Sequence, residues 1–440
     1  MAESARALLA DYRPGRGFAW RRGVPVSAAA ALADMRSMAD ALAGRTAFFN
    51  LCDDRYLFTV AFAAGCWAGA LNLLPQTRQA ATLDRIRARY PGAIAVDDAW
   101  VAARLGGESP PMPAPPEIPA ARTVAVVFTS GSTGEPAPQR KRWGDLAIGS
   151  ALLRRRFFPA TPAMNVVASV PPQHMYGLEN SVLLALHGGF AADSARPFMP
   201  WQIADALARL PAPRALFTTP IQLKACLDAE VALPAVARII SATAPLSSAL
   251  AAAAERHWHT EVHEIYGSSE TGSMASRRTA EDDRWQLYDG LQLAQDDEQV
   301  VVRGGQLPCP VVLADELDVL DATCFRLIGR SADMLKVAGK RISLAGLTAA
   351  LLDIEGVEDA VVFASPEAPA AERPTALVVA PSRTVRALGA ELAQRVDPVF
   401  VPRPLVKVER LPRNSIGKLA HADVVAAWRA ARRPERVVRG

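Results

Sequence analysis

Val124-Ala125-Val126-Val127-Phe128-Thr129-Ser130-Gly131-Ser132-Thr133-Gly134-Glu135-Pro136 carries, in one run, the two signals from which the architecture follows. Its first five residues are apolar and valine-rich, which reads as a buried strand. Gly131 and Gly134, interleaved with Ser130, Ser132 and Thr133, follow at once. Glycine accepts positive φ and close approach, so such a loop can turn its backbone N–H groups inward around an anion. Small hydroxyls add donors without bulk, and the guest this implies is a phosphate chain. A Walker-type loop needs Gly-Lys-Ser/Thr opening a helix. Here no lysine follows Gly134, and Pro136 and Pro138 forbid a helix at that point. By composition alone the segment is also an ordinary solvated turn; its neighbours in the chain decide between the two.

On either side the chain alternates helical and strand patterns. Residues 28–43 have helical spacing, 45–51 read as a strand, and 80–90 and 93–96 as a helix and a strand. Residues 57–74 are apolar but interrupted by Gly65, Gly69 and Asn72; they read as a buried helix rather than a membrane span. The prolines of 109–119 make a stiff connector. After the loop come helices at 144–157 and 201–210, with another opening at 181–187. Strands follow at 166–170, 215–219, 237–242 and 261–265. This βαβ rhythm predicts a parallel sheet whose ligands lie beyond the carboxyl ends of its strands. From 299 the texture becomes short strands (300–303, 311–313, 317–320, 325–328). Beyond Gly329 a compact unit fits: a hairpin (334–337 and 340–343), helices (347–353, 384–395) and strands (360–364, 376–379, 405–408). The expected fold class is α/β. A large N-terminal domain (1–329) has helix-wrapped, mainly parallel sheets plus a short β-rich segment. A hinge (330–332) joins it to a small, mobile α+β C-terminal domain (333–440).

The 440 residues predict two or three structural units. Half the chain is hydrophobic, 21% is charged and the net charge is +4, the profile of a globular enzyme with no nucleic-acid bias. Arg429, Arg432, Arg433, Arg436 and Arg439 cluster near the end, fitting nucleic acid or an acidic partner protein, or, as the plainer reading, a solvated, partly frayed helix. Five scattered cysteines show no metal or disulfide spacing, and the opening residues show no export pattern. A cytoplasmic protein without a membrane span is expected.

Several further segments carry chemistry. Glu264-Ile265-Tyr266-Gly267-Ser268-Ser269-Glu270-Thr271-Gly272 follows a strand and combines an aromatic ring, close-approach glycine and a carboxylate. Ser241-Ala242-Thr243-Ala244-Pro245-Leu246 offers small residues beside a flat ring. Asp315 precedes Arg330 by fifteen residues, and Pro412-Arg413-Asn414-Ser415-Ile416-Gly417-Lys418-Leu419 presents a lysine in a polar loop. Together with the glycine loop, these resemble the signatures of the adenylate-forming superfamily, in that family's chain order. The superfamily holds acyl- and aryl-CoA synthetases, luciferases and peptide-synthetase adenylation domains, and the resemblance runs from about Thr123 to Leu419.

The resemblance implies ATP and Mg²⁺ as cofactors. It assigns nucleotide contacts to Thr129, Ser130, Gly131, Ser132, Thr133, Gly134, Thr243, Ala244, Pro245, Tyr266, Gly267, Ser269, Asp315 and Arg330. Tyr266 would lie beside the base, Ser269 at the α-phosphate and Asp315 on the ribose, with Glu270 the magnesium ligand. Lys418 would be the catalytic cation. His174, in Pro172-Gln173-His174-Met175-Tyr176-Gly177-Leu178-Glu179, would border the acid and the thiol tunnel. Lys336 and Gly339 would belong to the hairpin that faces the site during thiol attack. Met175 and Tyr176 suit a flat substrate and core packing equally.

Several positions depart from the family pattern. Ala242 and Thr243 replace two glycines, Ala332 replaces the usual hinge Asp or Lys, and Ala137 stands where a loop lysine is customary. Lys141 and Arg140 are the candidates to supply that missing charge. The same region is similar to a branch associated with bacterial aryl-polyene and xanthomonadin pigment clusters. That likeness implies an aromatic acid such as 4-hydroxybenzoate, loaded onto an acyl carrier protein. The expected function is ATP-dependent conversion of a small carboxylic acid to an acyl-adenylate, then transfer to CoA or a carrier protein. A non-catalytic nucleotide- or acyl-binding homologue and a nucleotide-dependent kinase or hydrolase are the alternatives; the sequence leaves the oligomeric state open.

Overall fold

The computed structural model describes residues 4–106, 112–130, 136–161, 163–296, 299–330, 334–337, 340–364, 374–413 and 419–432. Among them, the strand Thr123–Ser130 lies in a five-stranded sheet. Its order is Ile94–Val96, Ala47–Asn50, Leu71–Leu74, Thr123–Ser130, Pro136–Arg142. The first four strands are parallel and the last is antiparallel. Pro136–Arg142 is an edge strand, the place in a sheet where residues lacking an N–H are admitted. Thr129 pairs with Ala137 and Ser130 with Pro136, so the glycine loop joins the two arms of a hairpin. Residues 131–135, with Gly131, Ser132, Thr133 and Gly134, fall outside the described residues.

The second sheet has eleven strands. Its centre is parallel: Gly17–Arg21, Ala191–Asp193, Asn165–Ala168, Arg214–Thr218, Arg238–Ser241 and Val262–Ser268. Both ends are antiparallel, so this sheet is mixed around the expected parallel centre. The added strands Gly272–Arg277 and Arg284–Leu287 had little periodic signal. Gly272–Arg277 reads Gly-Ser-Met-Ala-Ser-Arg and is buried on both faces, which removes the alternation that marks a half-exposed strand. The expected β-rich segment is divided accordingly. Leu291–Asp296, Gln299–Gly304 and Val311–Val312 form their own sheet, whereas Asp315–Val319 and Cys324–Arg330 extend the large one.

The helix Arg55–Ala68 touches strands of both sheets, and every residue from Arg55 to Cys66 is buried. A helix apolar on all sides belongs in such an enclosed slot. The single helix expected over 57–74 is two elements: Gly69, at φ 75°, ends the helix, and Leu71–Leu74 is a strand between two parallel neighbours. Arg55 is the exception to the apolar surface. Its guanidinium donates to Ser181 Oγ (2.5 Å) and to the carbonyls of Ala168 (2.6 Å) and Val170 (2.9 Å). Burial lowers its pKa to about 10 against the pull of Asp193, so it stays charged at neutral pH. It ties the end of one central strand to the next helical segment. That segment runs Met175–Gly177, Leu178–Leu183 and Leu184–His187, with π-helical geometry in its middle part.

His187, at the end of this run, lies edge-on to Trp143 with ring centroids 4.7 Å apart. Burial lowers its pKa to about 4, with Ala7's backbone opposing and Arg6 adding to the depression. Between pH 6.5 and 4 the unfolded chain therefore binds the proton and the folded chain does not, so this contribution to stability is complete above 6.5. It is lost as pH falls through that window, by roughly 3 kcal/mol. His187→Gln is expected to flatten the acid limb of a melting-temperature profile; an unchanged limb would rule out this group as its source.

The residues beyond Leu335 have cores of their own. The strands Asp359–Phe363, Thr375–Val379 and Leu405–Lys407 carry the helices Leu344–Leu352 and Val385–Arg395 on one face and His421–Arg432 on the other. The hairpin Met334–Val337 with Lys340–Ser343 forms as expected. The basic terminal helix is docked over its described length, with Val424, Val425 and Trp428 buried and Arg432 stacked 4.7 Å over Trp428. Gly329 meets Ser343, where a Cβ would come within 2.1 Å of Ser343 Oγ. Among the described residues no helix is long and apolar enough to cross a membrane.

Candidate active site

The parallel strands of the large sheet end together, and His174, the 241–246 segment and the 264–272 segment follow those ends. Val262–Ser268 turns into Gly272–Arg277 through Ser269, Glu270 and Thr271. Gly272 sits at φ 68°, the left-handed position that a three-residue hairpin loop requires. Ser268 Oγ accepts from the N–H groups of Glu270 and Thr271 at 3.2 Å, and Thr271 Oγ1 accepts from Ser268 N–H at 3.0 Å. The turn is thus closed by its own side chains.

Four residues hold it from outside. The buried Glu179 carboxylate accepts from Ser273 N–H (3.1 Å) and Ser273 Oγ (2.5 Å). Gln306 Nε2 donates to the carbonyls of Thr271 and Ser273, each at 3.0 Å. Gln139 Nε2 donates to Glu270 Oε1 at 2.9 Å, and Lys141 Nζ to the Glu270 carbonyl at 3.2 Å. Burial raises the Glu179 pKa, opposed by Ser273 and by Lys141; burial lowers that of Lys141, opposed by Glu179, Glu270 and Asp145. Sequence reasoning quoted Glu179 without assigning it a role and did not find Gln306. The legible signal was a carboxylate in an apolar helix, because buried charges require partners.

Tyr266 and Asp315 come together. The Tyr266 hydroxyl donates to the Asp315 carboxylate, and its ring lies 5.5 Å from Trp285 and 5.4 Å from Phe325. Asp315 and Arg330 are direct partners across antiparallel strands, so their fifteen-residue spacing is the length of a hairpin. Thr243, Ala244 and Pro245 follow the neighbouring strand Arg238–Ser241. Thr243 stands at φ 83°, a conformation that costs a β-branched residue about 1–2 kcal/mol. Its turn is held by Glu264 Oε1, which accepts from Leu246 N–H at 2.9 Å. The other oxygen, Glu264 Oε2, pairs with Arg277 at 2.7 Å and accepts from Thr279 at 3.1 Å.

His174 precedes the helix starting at Met175, its carbonyl accepting from Leu178 N–H at 2.8 Å. Tyr176 resolves to a core role: its hydroxyl donates to the carbonyls of Ile240 (2.9 Å) and Thr218 (3.2 Å), pinning the ends of two strands. Tyr176→Phe is expected to cost about 1–2 kcal/mol in urea unfolding while leaving the KM for the acid unchanged. A raised KM would show that the hydroxyl reaches the substrate.

Lys418, Gly339 and Ala332 lie outside the described residues, as do the side chains of Thr129, Ser130, Arg330 and Lys336. The base of the Lys418 segment is described: Arg413 bridges to Leu419 and forms a two-armed ion pair with Asp359 (2.6 and 2.8 Å). No cluster of three His, Cys, Asp or Glu side chains able to hold a metal occurs among the described residues. The exposed Glu270 carboxylate, with one oxygen held by Gln139, instead fits an ion carried mainly by phosphate oxygens and water, the mode that Mg²⁺ favours.

Comparisons with known proteins identify the family. The 4-coumarate–CoA ligase of Rhodobacter capsulatus is 32% identical over 243 residues, covering 53% of this chain and 59% of that protein. The 4-coumarate–CoA ligase of Halorhodospira halophila is 27% identical over 301 residues, covering 66% and 73%. Among solved structures, the o-succinylbenzoate CoA synthetase of Bacillus subtilis with its acyl-adenylate intermediate superposes with a TM-score of 0.81 at 16% identity. It covers 98% of this chain and 100% of that one. An anthranilate CoA ligase in complex with anthranoyl-AMP gives 0.78 at 15% identity, covering 95% of each. The family model described as AMP-binding enzyme matches residues 27–311, and that of the AMP-binding enzyme C-terminal domain matches 348–418. The chain belongs to the AMP-binding enzyme family, within the adenylate-forming superfamily.

Proposed function

We propose that this chain is an AMP-forming acid–thiol ligase acting on an aromatic, 4-hydroxybenzoate-like carboxylic acid, with an acyl carrier protein or CoA as acceptor. The observation that carries the reading is the convergence of the Glu270 turn, the Tyr266–Asp315 pair and the Thr243 turn at one end of the large sheet. Three separate segments there supply groups for a metal-bound triphosphate, a ribose and a flat base.

The substrate is MgATP, with magnesium screening the phosphate charge and held by Glu270. The acid's carboxylate oxygen attacks the α-phosphorus, the bond to the bridging oxygen breaks, and pyrophosphate leaves with the electron pair. Lys418 and the backbone of 131–134 stabilise the charge that develops. A thiolate then attacks the acyl carbon and AMP departs. Activation is needed because a carboxylate is a poor electrophile, whereas AMP is a good leaving group. Between the steps the part of the chain after 333 turns about residues 330–332, carrying Lys336 and Gly339 toward the site. All five cysteines are free thiols, in keeping with a reducing, cytoplasmic setting.

Incubation with MgATP and a panel of aromatic and fatty acids tests the reading. Acid-dependent release of pyrophosphate and AMP, strongest with hydroxybenzoates, is the expected result. ADP as product would indicate a kinase or hydrolase, and no turnover with any acid would indicate a binding homologue. Supplying CoA and phosphopantetheinylated carrier protein in parallel identifies the acceptor.

A further inference from the structure

The strand Pro136–Arg142 presents three consecutive cations, and they have different fates. Its pairing with Thr123–Ser130 places Ala137, Gln139 and Lys141 opposite Thr129, Val127 and Ala125, hence on one face. Arg140 falls on the other face and is exposed; Arg142 pairs with Asp145 at 2.9 Å. Lys141 alone is buried, with 8% exposure, although an ammonium is costly to remove from water. Its Nζ ends on the Glu270 carbonyl, two residues along the same face from the amide of Gln139, which holds a Glu270 carboxylate oxygen. One strand face therefore grips both the backbone and the side chain of a single residue. The second Glu270 carboxylate oxygen has no hydrogen bond among the described residues.

We propose that Lys141 and Gln139 are positioning residues that together aim Glu270 at the metal of bound MgATP, in place of a lysine at position 137. The inference rests on the reading of Glu270 as the nucleotide's metal contact. Clamping the carbonyl stops the hairpin tip from rotating, and clamping one carboxylate oxygen selects the rotamer that turns the other outward. Neither residue need touch the nucleotide. The side chain at position 137 is only a methyl group.

The test is the melting temperature of the full chain with ATP, titrated with Mg²⁺, against ATP with EDTA. Wild-type protein is expected to gain a metal-dependent increment. Lys141→Met and, with less risk to the fold, Gln139→Ala should each need about tenfold more Mg²⁺ for half of that increment. Their response to ATP with EDTA should be unchanged. A merely structural role would lower the ligand-free melting temperature and leave the Mg²⁺ midpoint where it was. Unchanged midpoints in both variants, beside a normal wild-type increment, overturn this inference alone. A wild-type protein with no metal-dependent increment overturns it together with the assignment of Glu270.

Discussion

Lys418→Ala is expected to slow ATP–pyrophosphate exchange by about two to three orders of magnitude, the cost of removing one preorganised charge from a phosphoryl transition state. The lysine's ammonium is a compact charge on a flexible stem, able to follow negative charge from the carboxylate to the departing pyrophosphate. Its segment springs from a braced base, because Arg413 is held to Asp359 by two hydrogen bonds and bridges to Leu419. Thiol transfer from acyl-adenylate supplied directly should survive, since that step neither forms nor releases pyrophosphate. Exchange at the wild-type rate in the variant would remove Lys418 from the mechanism.

Glu264→Ala should lower stability by about 3–5 kcal/mol, the range seen when one partner of a buried ion pair is deleted. The carboxylate is buried and serves three groups at once: Arg277, Leu246 N–H and Thr279. Truncation leaves the Leu246 N–H unpaired and a mostly buried guanidinium with only the Asp283 carbonyl, at 3.4 Å, as a remaining partner among the described residues, and Arg277 is stacked 4.6 Å over Trp285, where it cannot easily turn to solvent. Because Leu246 ends the turn that carries Thr243, the KM for ATP should rise as the urea midpoint falls. Glu264→Gln keeps the shape and part of the bonding and should lie between the two. A loss below about 1 kcal/mol for the alanine variant would show that water replaces the carboxylate.

The two expectations draw on different kinds of information. Lys418 is proposed from a local signature alone, whereas the pairing of Tyr266 with Asp315 and the 334–343 hairpin are seen in the structure; each depends on residue types at short spacing. Boundaries set by backbone chemistry were legible as well: Pro136 and Pro138 exclude a helix, and a strand stands there. Gly69 was noted only as weakening a helix, and its left-handed conformation in fact ends one. The strand Gly272–Arg277 escaped notice because full burial erases alternation. Glu179, Gln306 and the clamp on Glu270 join residues up to 131 positions apart, and no local pattern encodes those partners.

Read alone, the amino-acid sequence determined the α/β class, the order of the motifs and the chemical groups available, since propensity, patterning and loop composition act over a few residues. Only the tertiary structure decided which cation of Pro136–Arg142 is enclosed, that Tyr176 pins strand ends, and which buried groups support the Glu270 turn. Alternation along a strand sets which residues share a face. Which face is covered depends on the sheet packed against it, and that is a property of the assembled fold.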